Sequence, residues 1–251
     1  MARLVVFHTS DMHNKLTSEV ARRLTDLKQR EPSSLMLDSG DAIWAGNIFW
    51  RPGGEPILGL MSEVPYDAMC AGNREFHLLH AGLTAKMSRA RFPILCANIR
   101  ASGRASIPAV VKDRLLVDID GVCVGLIGIT VPCVTERMAV KRVADYYFVN
   151  PLDAATEVVR EVRSKCDLLI ALTHVGIAKD TELAEKIRGI DLILGGHTHT
   201  ITDQPKRVGN TVILHHGAYA KSVGRVVIET ASSSVVISNE LIPLSGTADY
   251  D

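Results

Sequence analysis

Residues 4–13 read LVVFHTSDMH, a short apolar run followed by a polar turn that carries Asp11 and His13. A run of β-branched and aromatic residues this short, bounded by Thr and Ser, reads as a buried strand. The Asp-x-His turn then sets two metal-binding side chains at the strand's end. The pattern recurs along the chain. SLMLDSG (34–40) runs into Asp41, YDAMCAG (66–72) into Asn73, DLLIALT (167–173) into His174, and DLILGG (191–196) into His197 and His199. One such turn is commonplace. Five apolar runs that each end in a ligating residue are hard to assign to coincidence, because loops after strand ends are where α/β folds assemble ligand sites. If these strands share a sheet and point the same way, all seven side chains converge at one edge.

The set mixes imidazole nitrogens with carboxylate and amide oxygens and contains no thiolate. That donor chemistry suits Zn, Mn or Fe and argues against a Cys-type structural zinc site or an all-oxygen calcium site. Seven ligands exceed what one tetrahedral ion takes, and two divalent ions sharing one carboxylate account for them economically.

Between these runs the periodicity alternates. Residues 19–29 form an amphipathic helix with Val20, Leu24 and Leu27 on one face, and ILGLMSEV (57–64) is a short helix. YDAMCA (66–71) and PILCANI (93–99) read as buried strands on either side of a helix, and residues 110–129 read as a hairpin turning at Asp120-Gly121. Helices carrying Ala154, Val158, Val159 and Val162, and then Leu183, Ala184 and Ile187, lead into the strands at 167–173 and 191–196. The tail (211–216, 223–229 and 234–241) reads as a run of antiparallel strands. The expected architecture is α/β, with sheets packed together and helices outside, as a single domain over residues 1–251.

Composition narrows the class. The chain has 251 residues, 47% hydrophobic and 22% charged, with a formal net charge of zero, so no field points to nucleic acid or to an anionic membrane. Five scattered cysteines without a CxxC pair read as free thiols. The first residues lack a signal-peptide core and no run is long enough to span a bilayer, so a soluble cytoplasmic protein is expected.

The phrases VVFHTSDMHNKL, LDSGDAIWAG, YDAMCAGNREF, FPILCANI, THVG and IDLILGGHTHT together resemble the calcineurin-like metallophosphoesterase superfamily, and more narrowly the catalytic domain of the 5′-nucleotidase family. The resemblance implies a four-layer sandwich, two mixed β-sheets flanked by helices, with a binuclear metal site at the strand ends. It implies that Asp11, His13 and His199 hold one ion, that Asn73, His174 and His197 hold the other, and that Asp41 bridges them. The implied activity is hydrolysis of a small-molecule phosphate ester, with nucleotides among the candidates, by a hydroxide bridging the two ions. A different reading is a catalytically impaired phosphate- or nucleotide-binding protein that keeps its metal site.

Residues 72–77 depart from the family pattern. They read GNREFH where the family has GNHEFD, so Arg74 and His77 replace a proton-donating His and its orienting Asp. Arg74 cannot act as an acid near neutral pH, although its fork suits a phosphate, whereas His77 can donate a proton. On a first helical turn the two would share a face. Asn73, Arg74 and His77 are therefore the candidate catalytic residues. The alternative is that His77 caps the helix and Arg74 turns to solvent or pairs with Glu75 or another acid. Asp38 reads as a loop cap, His8, His215 and His216 as core or supporting groups, and His80 as a helix-surface residue. Trp44, Phe49 and Trp50 follow Asp41 as either a substrate wall or a loop anchor. The nucleobase-stacking C-terminal domain of full-length 5′-nucleotidases has no counterpart in these residues.

Overall fold

The computed structural model describes residues 2–231 and 234–244. The chain opens with β1 (Ala2–Thr9), α1 (Ser18–Arg30), β2 (Ser34–Asp38), α2 (Pro56–Met61), β3 (Ala68–Cys70) and α3 (His80–Met87). Next come β4 (Ile94–Leu95), β5 (Ile99–Ala101), β6 (Val111–Lys112), β7 (Arg114–Ile119), β8 (Val122–Thr130), β9 (Tyr146–Phe148) and α4 (Pro151–Val162). The remainder holds β10 (Leu168–His174), α5 (Ile177–Lys186), β11 (Leu192–Gly195), β12 (Lys206–Val208), β13 (Thr211–His215), β14 (Ser222–Ala231) and β15 (Ser234–Pro243).

One sheet has the strand order β15-β14-β1-β2-β3-β4-β6 and the other β12-β13-β11-β10-β8-β7. Each has a parallel centre. In the first, β1, β2, β3, β4 and β6 run parallel while β14 and β15 extend one edge antiparallel. In the second, β8, β10, β11 and β13 run parallel between antiparallel edges β7 and β12.

Alternate residues of each central strand face different cores. Leu4, Val6, Leu35 and Leu37 meet Leu126, Ile170, Leu172 and Leu194 of the opposite sheet. Their chain neighbours Val5, Phe7 and Met36 pack under Leu24, Leu58 and Leu83 of α1, α2 and α3. On the far side Ile127, Leu169 and Ile193 pack against Val158, Val162 and Leu183 of α4 and α5. Four layers are thus separated by three apolar cores, as the resemblance implied. Strands buried on both faces need no polar alternation, which is why they read as continuous apolar runs. All five cysteines are free, and no helix among the described residues is long and apolar enough to cross a membrane.

Several local expectations are corrected. The ligand-bearing strands do not share one sheet: β1, β2 and β3 belong to the first and β10 and β11 to the second. PILCANI is two strands, β4 in the first sheet and β5 in a small pair with β9. The expected hairpin arm at 110–119 is divided between β6 of the first sheet and β7 of the second, so only β7 and β8 form the hairpin. Strand 211–216 is not part of an antiparallel tail, because β13 pairs parallel with β11. Each of these depends on long-range pairing, which local propensity does not encode.

The sheets come close together at Gly128 of β8, where an added Cβ would stand 2.3 Å from the Leu95 carbonyl oxygen of β4. Gly128→Ala should therefore cost roughly 3 kcal/mol through overpacking, seen as a lower urea midpoint with unchanged slope; an unaltered midpoint would show that the backbones can part. A polar pair also joins the sheets: His8 Nδ1 of β1 lies 2.6 Å from His216 Nδ1, and His216 Nε2 lies 2.9 Å from Asn239 Oδ1 of β15. Burial pushes His8 well below its usual range and His216 down to about 4. Both rings are neutral in the fold, whereas the unfolded chain protonates them below about pH 6.5. Their contribution is complete above that pH and is lost as pH falls toward 4. Urea titrations at a series of pH values, with chelator present, should show the acid limb flattened by about 1.4 kcal/mol per pH unit in His216→Gln; parallel limbs would contradict this.

Candidate metal centre

Three of the loops at the site bend the backbone into an unusual conformation. Asp11, His13, Asp41, His197 and His199 all have positive φ, between 44° and 79°. Asn14 does so on the loop after β1, Tyr219 and Ala220 do so on the β13–β14 loop that bonds to it, and among the described non-glycine residues only Asp120, in the β7–β8 turn, does so elsewhere. Non-glycine residues avoid this region, and clusters of such strain mark functional sites. The loops can close on one another because Gly72 has no side chain: a Cβ there would stand 2.3 Å from both the backbone nitrogen and Oδ1 of Asp41.

Two groups of metal-capable side chains result, and Asp11 belongs to both. Asp11, His13 and His199 form the first, and Asp11, Asp41 and His174 the second. In the first, His13 Nε2 lies 3.1 Å from His199 Nε2, and Asp11 Oδ1 lies 3.9 Å and 3.4 Å from those nitrogens. In the second, His174 Nε2 lies 3.3 Å from Asp41 Oδ2 and 4.0 Å from Asp11 Oδ1. Ligands about 2.0–2.1 Å from a tetrahedral ion are separated by roughly 3.3 Å, so these spacings fit a cation at the middle of each group. The acceptors fit as well. His174 Nε2 and Asn73 Oδ1 are buried without a hydrogen-bond partner, a costly condition that a cation relieves.

The surroundings set the protonation of these groups. His174 donates its Nδ1–H to the Ser39 carbonyl at 2.7 Å, which turns Nε2 toward the carboxylates. Burial opposes a charge on His174, but Asp41, with Oδ2 3.3 Å from Nε2, together with Asp11, outweighs it and lifts the ring to about 9, and a cation on Nε2 would take the place of that proton. Burial likewise opposes ionisation of Asp11, yet His199, His174 and Ser10 hold its carboxyl below the usual range. Burial lowers His13 and His197 in spite of the nearby carboxylates, which keeps their ring nitrogens available as donors to a cation.

Residues that the sequence does not mark as site residues organise the site. Glu75, fully buried, accepts from the backbone N–H groups of Gly72 (2.7 Å), Asp41 (2.8 Å) and Ile43 (3.1 Å). It serves the backbone of two ligand loops rather than pairing with Arg74. Buried Lys86 donates to the carbonyls of Arg74 (2.7 Å), Gly46 (2.9 Å) and Phe76 (3.2 Å). Glu75 stood within the GNREFH stretch, but no local pattern reveals that two of its partners lie more than thirty residues upstream. Asp38 caps its loop as expected, accepting from Thr9 Oγ1 and the Gly40 N–H.

The other candidate residues fall in different places. His197 is more exposed; its N–H donates to Asp11 Oδ2 at 3.0 Å and its ring centroid lies 5.1 Å from that of His174. Arg74 is at the rim, with Nε 3.9 Å from Asp41 Oδ2 and Nη1 donating to the Trp44 carbonyl at 3.0 Å. His77 is not brought to the cluster. Residues 73–75 form a turn and α3 begins only at His80, so Arg74 and His77 do not share a helical face. The His77 ring is buried against Gly82, and its Nδ1 accepts from the Leu79 N–H at 3.0 Å, which is a structural cap. His80 is not a simple surface group: its N–H donates to Asp145 and its Nδ1 meets the Tyr146 hydroxyl.

Known proteins resemble this chain in sequence and in fold. The trifunctional nucleotide phosphoesterase protein YfkN of Bacillus subtilis (strain 168) is 30% identical over 272 residues, covering 93% of this chain and 18% of that protein. The 5′-nucleotidase of Homo sapiens is 30% identical over 223 residues, covering 78% of this chain and 38% of that one. The crystal structure of a 5′-nucleotidase precursor from Thermus thermophilus aligns with a TM-score of 0.83 at 23% identity, covering 96% of this chain and 54% of that chain. The chain spans less than half the length of these two curated relatives. A family model for calcineurin-like phosphoesterases matches residues 4–200, and on that match over most of its length the chain belongs to the calcineurin-like phosphoesterase family.

Proposed function

We propose that the chain hydrolyses phosphate esters, nucleotides among them, with two divalent ions held side by side. The observation that carries this reading is the pair of ligand groups joined through Asp11, lined by the unpartnered acceptors Asn73 Oδ1 and His174 Nε2. Asp11, His13 and His199 would hold one ion, and Asn73, His174 and His197 the other. Asp41 is assigned to the bridge. Its Oδ2 lies 3.3 Å from His174 Nε2, beside Asp11, the carboxylate common to both groups. Bound there, such ions would neutralise phosphoryl charge and acidify an attacking water.

The remaining work falls to the chain's own residues. Glu75 holds the Asp41 backbone and the Gly72 turn in one position, so the ligands are placed before substrate arrives. Arg74 stands beside Asp41 with its side chain 36% exposed, placed to clamp a phosphoryl oxygen as charge builds on it. Nucleotides as the substrate class are supported by the relatives, a nucleotide phosphoesterase and a 5′-nucleotidase.

Elemental analysis after loading with Mn²⁺ or Zn²⁺ should find two ions per chain, and Asp41→Asn should lose both metal and turnover; one tightly bound ion in the parent protein would refute the two-ion reading. Retention of both ions with no turnover of p-nitrophenyl phosphate, its bis ester or nucleoside monophosphates would instead favour a binding protein. Arg74→Ala should lower the rate by roughly 10²–10³-fold, with only partial recovery in Arg74→Lys, which lacks the planar fork. His77→Asn should lower the melting temperature while leaving the ratio of alkyl to p-nitrophenyl phosphate turnover unchanged. A selective loss on alkyl phosphates would restore His77 as the proton donor.

A further inference from the structure

Two exposed aromatic rings flank the first ligand group. Trp44, 56% exposed, stands edge-on to the His13 ring with centroids 5.6 Å apart. Tyr219, 37% exposed, lies 5.4 Å from the His13 ring and 5.0 Å from that of His199. The loop continues from Trp44 into Ile48, Phe49 and Trp50, which are 68%, 66% and 41% exposed. Large apolar side chains gathered in water beside a polar site mark a surface that something covers.

The backbone that carries each ring is held in place although the rings are exposed. The Trp44 carbonyl accepts from Arg74 Nη1 at 3.0 Å, and the Arg74 guanidinium lies 5.8 Å from the Trp44 ring centre. The carbonyls of Ala45 and Gly46 accept from Lys86 Nζ, which also holds the Arg74 carbonyl. Tyr219 is fixed from another loop: its φ is 64°, in the left-handed region that aromatic residues avoid, and its N–H donates to the Asp11 carbonyl at 2.8 Å. An exposed ring on a fixed backbone is a partly prepared binding surface, because the cost of ordering the loop beneath it is met before the ligand arrives.

On the function proposed above, we infer that Trp44 and Tyr219 form the subsite for the leaving group and that they select esters carrying a flat aromatic ring, a nucleobase in particular. A phosphoryl group on the ligand cluster carries the rest of the ester outward past His13 and His199, the two rings against which Trp44 and Tyr219 pack. Aromatic side chains stack on any base and gain little from a bare sugar. Arg74 couples the two halves, with Nε 3.9 Å from Asp41 and the guanidinium by Trp44, so phosphate and base recognition share one support.

The experiment compares adenosine 5′-monophosphate with ribose 5-phosphate, which has the same phosphorylated sugar without the base. Trp44 and Trp50 are the two tryptophans of the chain, so tryptophan emission, excited at wavelengths where tyrosine does not absorb, reports on this loop alone. In Mn²⁺-supplemented protein, rapid mixing with the nucleotide should quench that emission and ribose 5-phosphate should not. The ratio of kcat/KM for the nucleotide over ribose 5-phosphate should fall about 10-fold in Trp44→Ala and in Tyr219→Leu, and return in Trp44→Phe and Tyr219→Phe. A merely structural role would lower both substrates together and leave the ratio unchanged. Unchanged ratios without base-dependent quenching overturn the subsite and leave the phosphoesterase reading standing. If neither ester is turned over, that reading fails by itself and the quenching alone decides: present, it supports the subsite; absent, it refutes it.

Discussion

The site depends on one buried carboxylate. Glu75 has no exposure to solvent, and burial, followed by the charge of Asp41, drives its pKa upward. Three backbone N–H groups converge on it, from Gly72, Asp41 and Ile43, and those bonds join the loop after β2 to the loop after β3. Hydrogen bonds to a carboxylate are among the stronger ones in proteins, and here they hold the backbone on which Asp41 and Asn73 are mounted. Were Glu75 apolar, three buried N–H groups would lose their acceptor and the loops would have reason to part.

The same region carries most of the backbone strain. Left-handed conformations at non-glycine residues cost on the order of 1–3 kcal/mol each and persist only where the surroundings over-determine them. Backbone bonds between the loops supply that constraint: Asp11 N–H to the Gly40 carbonyl, His13 N–H to the Asp41 carbonyl, and Tyr219 N–H to the Asp11 carbonyl. Each loop is held by another loop rather than by its own strand. The centre is thereby arranged in advance for a cation, and its buried unpartnered acceptors are the cost of that arrangement.

Two sheets rather than one feed the centre. Asp11, Asp41 and Asn73 follow strands of the first sheet, and His174, His197 and His199 belong to the second. Asp11 and Asp41 therefore meet His174 from the opposite sheet, with His13 on their own side, and the spacing of the two layers sets the gap between Asp41 and His174. Ser39 ties the layers at this point, since its hydroxyl donates to the Leu194 carbonyl while its own carbonyl accepts from His174. A change in sheet packing would thus act on ligand geometry from a distance.

The sequence alone determined which residues could bind metal and that they follow strands, because donor chemistry and short apolar runs are local properties legible one stretch at a time. Placing Asp11, His13, Asp41, His174 and His199 in two adjoining groups required the folded chain. So did the roles of Glu75, Lys86 and Ser39, each of which bonds to residues ten or more positions away along the chain. GNREFH shows the division most clearly. Its residue types permitted a rewired pair of catalytic side chains, but that reading assumed a helix beginning at the stretch. The helix starts instead at His80, and the turn before it sends Arg74 to the rim and His77 onto Gly82. Direction along a turn is fixed by backbone dihedrals and by what packs against them. Neither is written in a six-residue motif, and the tertiary structure alone decided both.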